Sequence, residues 1–261
     1  MKDIPQPTST YILGVRVDLL SQQQALARIR QFIERQHAAH SNNQQVACQQ
    51  IVTVNPEFVM AAQKDRQFRQ SINEAALVVA DGMGIVLATR YQGRPAPERI
   101  TGTDTLPELA RLCAKEGYRL YLLGAAPGIA ELAGAKLQDL APGLQIAGTY
   151  AGSPEPAEEE AIIERIRAAR ADILCVAYGA PAQELWIYRN LERLPVAVAM
   201  GVGGAYDFLS GRQQRAPRAM QRLGIEWLYR LYREPSRWRR MLVLPQFAVQ
   251  VVLKGRRRHD H

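Results

Sequence analysis

At 261 residues the chain can bury one substantial core, and its 47% hydrophobic and 22% charged content belongs to a folded globular protein and excludes a disordered one. The net charge of +8 is unevenly placed: residues 212–258 hold thirteen Lys or Arg against Glu226 and Glu234, a local +11, so the remainder is slightly acidic. No run reaches the ~20 apolar residues of a spanning helix. MKDIPQPTST has neither the charged nor the apolar region of a secretory signal, so a cytoplasmic location is expected.

Along the chain, runs rich in Val, Ile and Leu alternate with helical patterns. Strands are expected near 11–17, 50–54, 76–80, 119–123, 144–150, 172–178 and 196–201, and helices near 22–35, 56–72, 105–116, 127–140, 156–170 and 181–193. Four of these helices open on proline, which suits a first turn because its missing N–H would be unpaired there. The alternation predicts an α/β fold, a Rossmann-like and mostly parallel sheet flanked by helices. It fills residues 1–210, and a basic amphipathic helical appendage over 211–261 completes the active site and associates with a membrane. The stretch 37–45 reads as a polar connection.

Ligands of such sheets sit beyond the carboxyl ends of the strands. Five of those ends carry polar or small residues. After 50–54, Asn55 is an apt N-cap and Pro56 an apt first helical residue, while the Thr53 hydroxyl points to the same crevice. After 76–80, Asp81 either bonds its own loop or faces the cleft, and Gly82 and Gly84 allow the turn that exposes it. In a partly dry cleft such a carboxylate has a raised pKa and can take a proton from an alcohol. Gly124-Ala125-Ala126-Pro127-Gly128 is either a plain tight turn or a source of backbone N–H groups for a phosphate or sugar. Gln183 falls in the first turn after Pro181. At the fifth end, Gly201-Val202-Gly203-Gly204 lets a ligand approach and Asp207 can bond a ribose or base.

The rest of the inventory narrows the chemistry. His37, His40, His259 and His261 all lie away from strand ends, so a carboxylate is the expected base. Cys48, Cys113 and Cys175 are widely spaced in apolar surroundings and read as reduced buried thiols, with no metal site. GxxxxGK[ST], GxSxG and DxD are all absent, so that if a diphosphate leaves during reaction, arginines or helix N-termini stabilise its charge instead of a metal. The dense arginine supply is the tail, where Arg230, Arg233, Arg237 and Arg240 interleave with Trp227, Leu228, Leu231, Tyr232, Trp238 and Met241. Charge by itself does not choose among DNA, RNA, anionic lipid and diphosphate. The continuous apolar stripe favours an interface with lipid over a nucleic-acid-binding module, whose aromatics would stand as separate stacking platforms.

Six ordered motifs carry a resemblance: TVNPE at 53–57, ADG at 80–82, RITGTD at 99–104, GAPAQELW at 179–186, GVGGAYDFLSG at 201–211, and RAP followed by LGIEWLYRLYREPSRWRR at 223–240. Over about residues 10–250 the chain resembles the bacterial WecG/TagA/CpsF-type glycosyltransferases, which include the N-acetylmannosaminyltransferase of wall teichoic acid synthesis. The resemblance implies inverting, metal-independent transfer, with no cofactor, from a UDP-sugar to a polyprenyl-diphosphate-linked sugar. It also implies a peripheral position on the anionic inner face of the cell membrane. N-acetylmannosamine is the expected sugar, with UDP-glucose and UDP-N-acetylmannosaminuronic acid as alternative donors; a homo-oligomer is compatible with this and a nucleic-acid partner is not expected. By the same resemblance Asp81 is the base, Thr53, Asn55 and Gln183 orient sugars, and Asp207 is on the donor side. From the strand-end reading, Gly124 and Gly203 are expected to border the substrate. Arg230, Arg237 and Arg240 meet diphosphate, with Arg99 near the acceptor route. Ala182, Tyr206 and Met241 depart from the common Lys, Phe and Tyr of that pattern; Ala182, a lost cation, bears on tolerance for a charged sugar.

Overall fold

A computed structural model describes residues 6–42, 44, 46–217, 219–220, 226–233, 235 and 238–255. It opens on a hairpin, β1 (Ser9–Ile12) and β2 (Val15–Asp18), where a single strand over 11–17 was expected. Leu13 and Gly14 both adopt positive φ, 51° and 84°, the two-residue turn whose twist matches that of a strand pair. β2 meets the main sheet at the Asp18–Val79 pair, and the buried Asp18 carboxyl strengthens the junction by accepting the Val78 N–H at 2.8 Å.

Alternation follows: α1 (Gln22–Ser41), β3 (Gln49–Val54), α2 (Pro56–Ala62), α3 (Arg66–Asn73), β4 (Leu77–Ala80), α4 (Met83–Tyr91), α5 (Gly102–Glu116), β5 (Arg119–Gly124), α6 (Ile129–Leu140), β6 (Gln145–Tyr150), α7 (Glu159–Ala169), β7 (Ile173–Ala177), α8 (Ala182–Asn190), β8 (Val198–Gly201) and α9 (Ala205–Leu209). Then come α10 (Glu226–Arg233), α11 (Trp238–Met241) and α12 (Val243–Gly255). The eight strands run in the order β1-β2-β4-β3-β8-β7-β5-β6, parallel throughout except for the hairpin. The α/β expectation therefore holds.

Three local features differ from the sequence reading. The helix expected over 56–72 breaks in two because Asp65 caps α3, its Oδ1 accepting the Phe68 N–H at 3.0 Å; Asp prefers that role to a helix interior. α4 was not foreseen, since Gly82 and Gly84 at its start read as a loop. α1 continues to Ser41, carrying His37 within 2.5 Å of the Asp172 carboxylate.

Successive strand residues bury on opposite sides of the sheet, as the pleat requires. Ile51, Leu77, Leu120, Leu122, Cys175 and Met200 pack with α1, α5, α6 and α9. On the reverse face, Val52, Val54, Val78 and Ala80 pack with α2, α3, α4 and α12, while Leu123, Leu174, Val176 and Ala199 pack with α7 and α8. Phe247 and Val251 of α12 are 4% and 6% exposed, so the far C-terminal helix belongs to this core. Cys48, Cys113 and Cys175 are buried and free, and burial pushes all three thiols up, Cys113 to about 12. Tyr206, where phenylalanine is common in the motif, is fully buried and its hydroxyl donates to the Cys175 carbonyl at 2.8 Å.

β5 and β7 come close at Gly124, which has φ 96° and where a Cβ would lie 2.7 Å from the Ala177 carbonyl carbon. Both the strained backbone and the collision oppose any side chain there. Gly124→Ala is expected to lower unfolding free energy by about 2 kcal/mol or more in urea titration; an unchanged midpoint would contradict this packing.

Candidate active site

β3 and β4 are neighbours, and their carboxyl ends lead straight to Asn55 and Asp81. Asn55 caps α2, its Oδ1 accepting the Phe58 N–H at 3.0 Å with Pro56 in the first position. The Asp81 N–H donates to the Val54 carbonyl at 2.7 Å, tying one strand exit to the other. Gly82 turns the chain at φ 91°, and Gly84 lies so close to Pro56 that a Cβ would sit 2.7 Å from the ring Cγ. The two loops interlock, and Asp81 is held half-buried beside Asn55.

Both residues line a cavity of about 890 Å³, large enough for a substantial ligand. Its walls are of two kinds. Asn55, Asp81, Arg99, Thr101, Thr103 and Arg215 form a polar wall along the strand ends, and Leu87, Tyr91, Leu244, Phe247, Ala248 and Val251 form an apolar one between α4 and α12. Trp227 and Glu226 of α10 also border it.

Four charges alternate at the polar wall. Arg215 grips Asp104 with two parallel bonds, NH1 to Oδ1 at 2.5 Å and NH2 to Oδ2 at 2.9 Å. Arg99 lies 3.8 Å from both Asp104 and Glu226, and Glu226 is 3.6 Å from Arg215 Nε. Burial raises the Asp104 pKa, but Arg215, the Thr101 hydroxyl at 2.7 Å and the Arg99 charge outweigh it and hold the carboxyl below its usual range. Thr101 in turn caps α5 by accepting the Asp104 N–H.

Gln183 is placed differently from the expectation that it faces substrate. It is 3% exposed, its Oε1 accepts the Gly179 N–H at 3.0 Å and the Gly203 N–H at 3.1 Å, and its Nε2 donates to Glu184 Oε1 at 2.8 Å. It brackets the exits of β7 and β8 and is absent from the cavity lining. Glu184 escaped the sequence reading because a glutamate at the third position of a helix reads as a solvated first-turn acid. It is 0% exposed, its Oε2 has no hydrogen-bond partner, and burial raises its pKa to about 8 despite the Gln183 bond. Gly201 is required beside it, since a Cβ there would meet Glu184 Oε1 at 2.3 Å.

Of the other expected site residues, Arg99 is in the cavity wall. Thr53 lies behind the wall, its Oγ1 3.7 Å from where a Gly102 Cβ would stand. Gly124 serves the close approach of β5 to β7, Gly203 the Gln183 bracket, and Asp207 pairs with Arg212 at 3.8 Å. None of these four lines the cavity. Arg230 and Arg240 fall on α10 and α11, with side chains outside the described set, and Arg237 lies outside the described residues. Among the described residues no three His, Cys, Asp or Glu side chains converge as a metal site. Arg215, Asp104 and Glu226 were missed individually, although the RITGTD and RAP motifs contain the first two.

A family model described as the glycosyl transferase WecG/TagA/CpsF family matches residues 10–261. The chain is 36% identical over 202 residues to an N-acetylglucosaminyldiphosphoundecaprenol N-acetyl-beta-D-mannosaminyltransferase of Bacillus subtilis, covering 77% of this chain and 78% of that one. It is 35% identical over 207 residues to the protein of the same name from Bacillus spizizenii, covering 79% of each.

The buried Glu184 makes stability depend on pH. Its folded value of about 8 exceeds the ordinary 4.5, so its contribution is complete below about 4.5 and is lost as pH rises toward about 8. In that window the loss approaches about 1.4 kcal/mol per pH unit. Chemical denaturation of Glu184→Gln across the same range is expected to show a shallower decline than the unsubstituted chain; parallel curves would mean that the carboxyl ionises normally.

Proposed function

The chain belongs to the WecG/TagA/CpsF glycosyltransferase family and is an enzyme of sugar transfer, and from that premise we propose that it moves N-acetylmannosamine from a UDP donor to a polyprenyl-diphosphate-linked sugar. The observation that carries the reading is the double-walled cavity. A substrate with a charged, hydroxylated head on an isoprenoid body needs polar groups at strand ends and an apolar flank, and the cavity offers both. The names of the Bacillus relatives specify a diphosphoundecaprenol sugar acceptor and a β-linked product.

Asp81 is the base of this reading. Its carboxylate takes the proton of the acceptor hydroxyl as that oxygen attacks the anomeric carbon. The bond from that carbon to the donor's phosphate oxygen breaks, and UDP leaves with the electron pair. Attack opposite an α-linked leaving group yields a β-linked product, so one displacement inverts the centre. Charge on the departing diphosphate is met by guanidinium groups, which supply bidentate, charge-assisted hydrogen bonds without a metal. Gln183 acts at one remove, by fixing the two glycine-rich loops beside the cleft.

The membrane is the natural source of such an acceptor. Among the described residues no helix is long and apolar enough to cross a bilayer. The outward side of α12 nevertheless exposes Val249 and Leu253, while Tyr232 and Trp238 stand exposed on α10 and α11. Apolar side chains among many arginines fit peripheral attachment to an anionic inner leaflet, each nearby cation contributing about 1 kcal/mol.

Incubation with UDP-N-acetylmannosamine, UDP-glucose or UDP-N-acetylmannosaminuronic acid and a short-chain polyprenyl-diphosphate-N-acetylglucosamine is expected to release UDP with the first donor; no release with any of them would overturn the proposal. Asp81→Asn is expected to lower turnover by roughly 10²–10⁴-fold. For the membrane, Val249→Asp combined with Leu253→Asp alters exposed positions only, and is expected to reduce co-sedimentation with phosphatidylglycerol vesicles several-fold at unchanged melting temperature. Undiminished sedimentation would remove α12 from that role.

A further inference from the structure

The ion group at the polar wall has an asymmetry. Asp104 binds Arg215 by a tight two-pronged contact and is not part of the cavity lining. Glu226 does line the cavity, and its two oxygens span the two guanidinium groups: Oε1 is 3.6 Å from Arg215 Nε and Oε2 is 3.8 Å from Arg99 NH1. Both distances exceed those of charge-assisted hydrogen bonds, about 2.7–2.9 Å. Arg215 also lines the cavity. A guanidinium has five N–H donors, and the paired contact to Asp104 engages two of them.

We propose that the Glu226 carboxylate stands where a phosphate group of a substrate diphosphate binds, between Arg99 and Arg215, and that the diphosphate displaces it on entry. This deepens the function proposed above and rests on it for the identity of the ligand. A phosphate brings more charge than a carboxylate and oxygens free to close on both guanidinium groups. Asp104 remains as the positioning residue, kept ionised by Arg215, the Thr101 hydroxyl and Arg99. Glu226 is the first residue of α10, and the next, Trp227, lines the same cavity. Displacement therefore moves the start of α10, so that diphosphate entry and the seating of that helix become one event.

The diphosphate belongs to either the donor or the acceptor, and binding separates them. The full chain is titrated calorimetrically with inorganic pyrophosphate, UDP and farnesyl diphosphate. Glu226→Gln removes the competing charge with little change of shape, and is expected to tighten pyrophosphate and one of the other two by about tenfold. Arg215→Lys keeps the charge but loses the fork, and is expected to weaken the same pair by about tenfold or more. The organic ligand that moves identifies the source. Melting temperatures establish that each variant is folded. If Glu226→Gln leaves all three affinities within about twofold, or weakens them, the displacement is wrong. These measurements need no turnover: failure of sugar transfer with every donor would overturn the proposed reaction and leave the diphosphate site standing on its binding changes.

Discussion

The candidate site depends on how the carboxyl edge of a parallel sheet is held together where its ladder ends. There the chain leaves the sheet at β3, β4, β7 and β8 with backbone groups that no strand partner satisfies. One pair of exits is joined by the Asp81 N–H on the Val54 carbonyl and by the fit of Gly84 against Pro56. The other pair is joined by one amide, Gln183, whose oxygen accepts from Gly179 and Gly203 together. Glycine is needed at Gly84 for lack of space, and at Gly82 because φ is positive. The stiffness of this edge is what gives Asp81 a fixed place.

Beneath the Gln183 bracket lies a cost that the fold tolerates. Glu184 is wholly buried with one oxygen unpaired, which penalises its ionised form and favours the neutral acid. In return its other oxygen orients the Gln183 amide so that the carbonyl end faces the two glycine N–H groups. A buried polar group that orients another buried polar group is more consequential than its own bond energy, because the alternative orientation would set an amide N–H against two backbone donors.

The C-terminal region is bound to this edge from two directions. Phe247 and Val251 anchor α12 in the core against α2 and α4, while its outward residues leave apolar surface uncovered. Charge does the corresponding work at α10, where Glu226 meets Arg99 and Arg215. A helix that closes the cavity with one face and presents apolar residues on the other links the reactive edge to whatever surface the acceptor occupies.

Much of this was legible in the sequence for simple reasons. Strand positions follow from apolar runs, the α/β class from their alternation with helices, and Asn55 and Asp81 from the rule that ligands gather beyond strand ends. Ordered motifs gave the family. The sequence missed the hairpin because Leu13 carries no turn signal by itself, and missed α4 because the glycines that permit its entry look like a loop. Which polar residues face the cavity was decided in the folded structure. Gln183 and Asp81 looked equivalent at their strand ends, yet one is turned inward by Gly179, Gly203 and Glu184 while the other is left in the cavity wall. Arg99 and Asp104 belong to one motif while Arg215 and Glu226 come from much later in the chain, and only the folded sheet edge brings the two groups within 4 Å of one another. Local pattern fixes secondary structure and strand ends, because both arise from near neighbours; the direction of a side chain and the partner of a charge depend also on groups remote in the chain, as Gly203 is to Gln183 and Arg215 is to Asp104.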